Sequence, residues 1–370
     1  MKLAIITNTY PPRTGGLELH VHNLAQGLVE QGHTVRVLTI SQDGAPASRR
    51  DGRVTVLTGR SHLPVADVIS FPSLGTTRRM AGYLAAEGIE VVSTHTRFFP
   101  MSLVGLRAAR RAGIPVIHTE HGSGFVASTS PVIAAGSRTV DLTWGRYVLR
   151  RADRVLAVSP QAADFVTRLS GVGAEVFYNA ITPPVAGVVH GDRPAHLVFV
   201  GRVVDGKGWD TFLEAVAALR RGGLEVDGEL LGDGADLALA RRRAKDLGLE
   251  GVVDIPGRVP AAQVRERLDG ATLVNPTVLS EGFQTTLLEA IAEGGRVVTF
   301  EVPGAQLLRE SGAPVAICPE RTTTSLVATL REFLAAPPPS AVPDLITPWT
   351  WPVRAQQYSR IAQEVLDGAR

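Results

Sequence analysis

Ser280-Glu281-Gly282-Phe283-Gln284-Thr285-Thr286-Leu287-Leu288-Glu289-Ala290 follows an apolar run, Ala271-Thr272-Leu273-Val274-Asn275-Pro276. The run predicts a short buried strand. Gly282 supplies a turn, and Leu287, Leu288 and Ile291 then share one face of a helix. A strand end, a tight loop and a helix N-terminus therefore follow one another. The first N–H groups of such a helix are unpaired and carry partial positive charge, which suits an anion. Two carboxylates bracket that terminus: Glu281 on the loop and Glu289 about two turns inside. Each has two readings. Thr286-x-x-Glu289 fits a capping box, and Glu281 fits a charge favoured by the helix dipole. Alternatively, both carboxylates face a ligand. This stretch alone leaves both readings open.

Working outward, the same pattern recurs. Leu197-Val198-Phe199-Val200 predicts a buried strand, and the loop Gly201-Arg202-Val203-Val204-Asp205-Gly206-Lys207-Gly208 and a helix over 209–220 follow it. Arg202 and Lys207 beside the N–H groups of a glycine loop suit a diphosphate. Further strands are expected over 227–231, 252–257, 296–300 and 315–317, and a helix over 324–335. The first half starts in the same way. Leu3 to Thr7 is a continuous apolar run, the loop holding Pro11, Pro12, Gly15 and Gly16 follows, and Leu17, Val21, Leu24 and Leu28 recur at helical spacing. Strands over 35–40, 54–57, 91–94, 115–119 and 154–158 alternate with helices over 76–86, 102–112 and 143–151, which argues for a parallel α/β sheet. The first loop lacks G-x-G-x-x-G, which argues against a nicotinamide dehydrogenase. Glu120-His121-Gly122 sits at a strand end, where such sheets bind ligands. His20, His22 and His118 read as ordinary structural residues.

The chain has 370 residues, enough for two domains of about 150 residues each and a tail. Its net charge of +2 does not indicate a nucleic-acid partner. Cys318 is the only cysteine, so neither an internal disulfide nor a cysteine-based metal site is expected. No apolar run approaches the roughly 20 residues of a membrane span, so a cytoplasmic protein is expected, with peripheral contact at the inner face of a membrane left open. The arginines at 107, 110, 111, 146, 150, 151 and 154 read either as solvated helix faces or as contacts to an anionic acceptor or leaflet. Residues 181–192, with Pro183-Pro184, suit a linker, Pro337-Pro338-Pro339 a connector, and residues 349–366 an amphipathic helix carrying Trp351, Val353, Tyr358, Ile361 and Val365.

Three sets of residues agree: Gly15-Gly16-x-Glu18 after the first strand, Gly201-Arg202-x4-Lys207-Gly208 opening the second half, and Glu281-Gly282-Phe283 with Glu289 eight residues later. Together they resemble the family 4 retaining glycosyltransferases and their E-x7-E motif. That resemblance implies the GT-B fold, two Rossmann-like domains with parallel sheets facing across a cleft and a C-terminal helix returning to the first. It places an acceptor-binding domain at 1–185 with the helix 350–370, and a donor-binding domain at 186–349. Arg202 and Lys207 would hold the diphosphate of a sugar nucleotide, Glu289 the ribose hydroxyls, and Glu281 would lie by the donor sugar. Gly282, Phe283, Gln284 and Thr285 would help hold phosphate and sugar, Gly16 would admit the diphosphate, and Arg258 and Val259 would lie near the base. Glu18, His20 and His121 would line the acceptor side, with Glu281, His121, Arg202 and Lys207 as the catalytic set. Three departures stand out: Gly294-Gly295-Arg296 replaces Gly-x-Pro, Val302-Pro303-Gly304 replaces a glycine pair, and Asn179-Ala180 replaces Asn-Gly.

The reading is then a hexosyl- or N-acetylhexosaminyltransferase moving sugar from a UDP-sugar, or a GDP-sugar, to an unidentified hydroxyl acceptor. No Asp-x-Asp stands at a strand end, so no metal is expected, and the sugar nucleotide is the only co-substrate. A monomer or a dimer fits equally. An epimerase of the same fold, or a non-catalytic sugar-nucleotide-binding protein, is the alternative. The epimerase is separated by its products, and the binding protein would have no need of Glu281.

Overall fold

The computed structural model describes residues 1–369 except 14, 42–44, 66–68, 126–130, 186 and 280–281, and the backbone alone at 64–65 and 131–133. The chain divides into two units, Met1–Ala180 with Trp351–Arg370, and Ile181–Thr350.

In the first unit the strands are β1 (Lys2–Ile6), β2 (Thr34–Ser41), β3 (Ser48–Asp51), β4 (Val54–Val65), β5 (Ile69–Pro72), β6 (Val91–His95), β7 (Val116–Glu120), β8 (Arg154–Ala157) and β9 (Glu175–Val176). Their order is β3-β4-β2-β1-β6-β7-β8-β9, with β5 on β4. Pairing is parallel from β4 to β9, and β3 and β5 join β4 antiparallel. The unbroken apolar run of β1 is explained by cover on both faces. Leu3 and Ile5 pack with Val21, Leu24 and Leu28 of the helix Gly16–Glu30, whereas Ala4 and Ile6 pack with Leu103 and Leu106 of the helix Pro100–Ala112.

The amphipathic tail is the helix Trp351–Ala369, whose Trp351, Tyr358, Ile361, Ala362, Val365 and Leu366 join the first unit's core, whereas Val353 of the expected stripe is exposed. The second unit holds β10 (Arg193–Val200), β11 (Asp227–Leu231), β12 (Val253–Gly257), β13 (Ala271–Asn275), β14 (Arg296–Thr299) and β15 (Val315–Ile317). They form an all-parallel sheet ordered β12-β11-β10-β13-β14-β15.

Two strands and one helix depart from the sequence reading. Hairpin partners β3 and β5 were not expected; Ser48-Arg49-Arg50-Asp51 carries no apolar alternation because it is an edge strand. The helix expected at 143–151 is instead Pro131–Val140, a π-helical turn Asp141–Gly145 and Arg146–Arg151. The Thr143 hydroxyl donates to the Thr139 carbonyl at 2.7 Å beside that wider turn. Among the described residues, no helix is long and apolar enough to cross a membrane.

The tail helix lies so close to the first helix that a Cβ on Gly27 would stand 2.8 Å from Ala355 Cβ. Gly27→Leu is therefore expected to overpack this seam and to destabilise the protein by about 1–3 kcal/mol, read as an earlier thermal or urea transition.

Candidate active site

In the second unit, the loops after β10, β12 and β13 leave the carboxyl ends of their strands. The Gly201–Gly208 loop is tied to the chain leaving β13: the Gly206 carbonyl accepts from Val278 N at 2.9 Å and from the Thr277 hydroxyl at 3.2 Å. Gly208 has φ 86°, and a Cβ there would stand 2.3 Å from the Pro276 carbonyl oxygen, so this loop can seat only glycine at that point. Arg202 is exposed on the loop and makes no hydrogen bond or ion pair among the described residues, and Lys207 is half-buried. Arg258, exposed, and Val259, half-buried, follow directly on Gly257, the last residue of β12.

The helix of the E-x7-E stretch runs Thr285–Ala292 with Gln284 at its N-cap and no side-chain cap bond. Glu281 and Ser280 lie outside the described residues. Gly282 is half-buried and Phe283 is buried, its ring filling the space a Cβ on Gly304 would need (2.7 Å). Gly304 itself has φ 97°, so this position, which departs from the family's glycine pair, still requires a glycine. Gln284 Oε1 accepts from Asn275 Nδ2 at 2.7 Å, and Asn275 Nδ2 also meets Thr299 Oγ1 at 3.0 Å. Gln284 Nε2 is buried with no hydrogen-bond partner among the described residues.

Glu289 is the fifth helical residue, too deep to close a capping box, and Thr286 is the second helical residue, not the N-cap. The capping reading is thereby removed. Glu289 has no hydrogen bond or ion pair among the described residues. Burial pushes its pKa up to about 7, helped by Glu293 and opposed by Arg265. Arg265 is already engaged with the Glu293 carboxylate and with the Thr182 carbonyl at 3.0 Å.

In the first unit, Gly16 opens the first helix, exposed, with no atom within 4 Å of where a Cβ would stand. Glu18 in the first turn is buried and lies 3.7 Å from the Arg13 guanidinium. His20 donates from Nδ1 to Asn179 Oδ1 at 2.9 Å. His95, the last residue of β6, brings Nδ1 within 3.1 Å of His121 Nε2, and His121 is the first residue beyond β7. The three imidazoles stand 4.6–5.6 Å apart, centre to centre. Burial pushes the pKa of His20 down to about 4, against the pull of Asn179, and those of His95 and His121 well below the usual histidine range. The cluster is therefore neutral at physiological pH. His22 and His118 lie elsewhere: His22 meets Asp51 at 2.9 Å and His118 meets the Thr94 hydroxyl at 2.9 Å.

Sequence reasoning missed the ion network beneath His121. The wholly buried guanidinium of Arg97 pairs with Glu120 at 2.7 Å and with Asp141, delivered by the π-helical turn, at 2.8 Å. Glu120 Oε1 also accepts from the N–H groups of His121 at 3.1 Å and Gly122 at 2.8 Å. Burial opposes its charge, but Arg97, His118 and Gly122 outweigh burial and hold its pKa far below the usual carboxylate range. Burial raises the pKa of Asp141 against the same guanidinium. Thr96, between His95 and Arg97, has φ 65°, a costly conformation for a β-branched residue. The available signal was position: His95 and Arg97 close an apolar strand run, where ligand loops start.

A sequence profile described as Glycosyltransferase Family 4 matches residues 14–183, and one described as Glycosyl transferases group 1 matches residues 194–336. A phosphatidylinositol N-acetylglucosaminyltransferase subunit of Saccharomyces cerevisiae is 25% identical over 319 residues, 82% of this chain and 68% of its own. Among solved structures, sucrose-phosphate synthase from Thermosynechococcus elongatus superposes with a TM-score of 0.74 at 19% identity, over 99% of each chain. HepE from Anabaena, solved in complex with UDP, gives 0.68 at 18% identity, over 100% of this chain and 98% of its own. The fold is that of the GT-B nucleotide-sugar glycosyltransferases. With both halves matched by glycosyltransferase profiles, the chain belongs to the family 4 glycosyltransferases.

Two expectations follow from the electrostatics. Because the folded-state pKa of Glu289 lies above its ordinary 4.5, its ionisation costs stability progressively as pH rises from about 4.5 through about 7. Glu289→Gln is expected to melt later than the parent at pH 8 and together with it below pH 4.5; a capping carboxylate would give the opposite sign. Arg97→Met leaves two carboxylates buried without their cation and is expected to cost about 3–5 kcal/mol in urea unfolding at pH 7. The depressed Glu120 pKa stabilises the parent above the ordinary carboxylate range, and this contribution fades on acidification. The gap between parent and variant should therefore narrow in acid.

Proposed function

We propose that the chain is a metal-independent retaining transferase that moves a hexosyl or N-acetylhexosaminyl group from UDP-sugar to a hydroxyl acceptor. GDP-sugar is the second choice of donor. The observation that carries the donor half is Glu289: a carboxylate with no hydrogen bond or ion pair among the described residues, uncapping and costly to ionise, on a helix at a strand end. Two ribose hydroxyls are the donors it lacks. The guanidinium of Arg202, without a partner among the described residues, and the ammonium of Lys207, on the loop tied to the same strand end, take the diphosphate. Arg258 and Val259 lie by the base. Gly282, Phe283, Gln284 and Thr285, with the helix N-terminus they lead into, take phosphate and sugar. The solved UDP complex of HepE supports the choice of uridine.

The chemistry asks little of covalent catalysis. A nucleoside diphosphate leaves readily once its growing charge is met by preorganised cations and N–H dipoles. We assign this to Arg202, Lys207 and the N–H groups after Gly282, and give Glu281 the role of stabilising the departing sugar. In the first unit Glu18, His20 and His121 are assigned to the acceptor side and Gly16 to admitting the diphosphate. Retention is taken from the family, with substitution on the leaving-group face. The acceptor is a glycan, glycolipid or small molecule; the name of the yeast relative, which points to phosphatidylinositol, supports a lipid-borne acceptor. We place the enzyme in the cytoplasm, at the inner face of a membrane when the acceptor is lipid-borne, as a monomer or dimer.

A panel of sugar nucleotides, with slow donor hydrolysis as the readout, tests the reading. UDP is expected to raise the melting temperature by mass action. Glu289→Ala is expected to weaken UDP binding roughly tenfold or more, from the loss of about 1.5–3 kcal/mol of charge-assisted hydrogen bonding. Transfer is expected to survive EDTA. No stabilisation by any nucleoside diphosphate at millimolar concentration overturns the reading, and loss of turnover in EDTA restored by magnesium overturns its metal independence.

A further inference from the structure

We propose that His20, His95 and His121 form a three-nitrogen site for a divalent transition-metal ion, Zn²⁺ in first place, on the first unit. One ring nitrogen from each of the three lies within 4.8 Å of the others. The rings come from three separate places, the first turns of the helix Gly16–Glu30, the last residue of β6 and the residue after β7, so neighbouring strand ends bring them together.

The spacing fits an ion. At a Zn–N distance of 2.0–2.1 Å, tetrahedral ligand nitrogens stand about 3.4 Å apart and the imidazole centres about 5 Å apart. The closest nitrogens, His95 Nδ1 and His121 Nε2, are 3.1 Å apart, and the ring centres are 4.6, 5.4 and 5.6 Å apart. The tautomers fit as well. A carbonyl oxygen accepts, so His20 Nδ1 carries the proton given to Asn179, and Nε2 presents a bare lone pair. That Nε2 is buried and has no hydrogen-bond partner among the described residues, an unmet cost that a metal ion would remove.

The outer partners are those of metal-bound imidazoles, whose far nitrogens are held by polar groups. Asn179 holds His20; the Ser93 hydroxyl, 3.0 Å from His95 Nε2, holds His95, and Ser93 in turn accepts from Tyr358 of the tail helix at 2.6 Å. Three protein nitrogens leave one tetrahedral position for water or a ligand oxygen. The ion concerned is not one that binds the donor diphosphate, which is proposed to be held by Arg202 and Lys207. It would instead tie up the imidazole of His121, so occupation should inhibit transfer; this arm alone rests on the proposed acceptor-side role of His121.

Protein stripped with EDTA and freed of chelator is titrated with Zn²⁺ by calorimetry and with Co²⁺ by visible absorption. One equivalent is expected, with the intense cobalt bands of a four-coordinate site. His20→Ala or His95→Ala should weaken binding at least about a hundredfold, Asn179→Ala about 10–100-fold, and His22→Ala not at all. Melting curves in EDTA establish that each variant is folded, and Asn179→Ala, which keeps all three imidazoles, serves where a histidine variant is not. Failure of the parent to take up an equivalent, or an equal loss in His22→Ala, overturns the site and reduces the 3.1 Å contact to a hydrogen bond between imidazoles. Zinc is expected to slow transfer reversibly. Stoichiometric binding without inhibition leaves the site standing and overturns the role given to His121.

Discussion

A parallel strand covered by helices on both faces has nowhere to put an unpaired polar side chain except where it runs out. In β1, residues Leu3 to Ile6 are wholly buried, alternating between two apolar clusters. In β13 the chain stays buried to Asn275, the last residue, whose amide turns to Gln284 and Thr299. In β6 and β7 the last residues are His95 and Glu120. The polar residues inside β6 obey the same constraint by partnering: Ser93 meets His95 and Tyr358, and Thr94 meets His118. Groups with chemistry to do are thereby sorted to one rim of each sheet by the cost of burying them anywhere else.

Within the first unit that constraint is carried furthest at Arg97. One guanidinium is shared between two carboxylates, and the net negative charge that results sits under the His121–Gly122 N–H groups. A buried pair of this kind adds little net stability over an apolar filling, because desolvation consumes the Coulombic gain. What it does supply is position. Glu120 accepts two successive N–H groups and the Arg97 N–H at 3.0 Å, so the chain leaving β7 is clamped to the chain leaving β6. The unfavourable φ of Thr96 lies inside this clamp, where the surrounding bonds over-determine the backbone.

The strand–loop–helix series was legible because its signals are local: continuous apolar runs, helical spacing and glycine punctuation. The tail helix was legible from its stripe, Trp351, Tyr358, Ile361 and Val365. The edge strand Ser48–Asp51 was not, because its exposed polar sequence is what an edge requires. Nor was the π-helical turn at Asp141, whose purpose lies 44 residues away at Arg97. For the site, Glu289, His20 and His121 could be singled out by position, but their states could not. Whether Glu289 caps a helix depends on where that helix starts, and the start at Thr285 is a matter of φ and ψ. The convergence of His20, His95 and Asn179 joins residues far apart in sequence, a fact only the sheet order supplies.

Glu289 shows how a buried carboxylate can depart from what local rules favour. Local rules favour an apolar residue at its helical position, between Leu288 and Ala290, both buried. A carboxylate there is ionised at a cost, and the cation that offsets part of it, Arg265, is committed to Glu293 and a backbone carbonyl. Moving Arg265 onto Glu289 would relieve the carboxylate but would also occupy its lone pairs. Leaving the pair unmade keeps those lone pairs for other donors, and the ribose hydroxyls proposed above would be two of them. The same logic does not extend to Arg202, which also has no partner among the described residues but is exposed, so water meets its guanidinium and no such cost arises. On the proposed reading, the stability withheld at Glu289 is what a donor of paired hydroxyls would return, and a molecule without them would leave the cost in place.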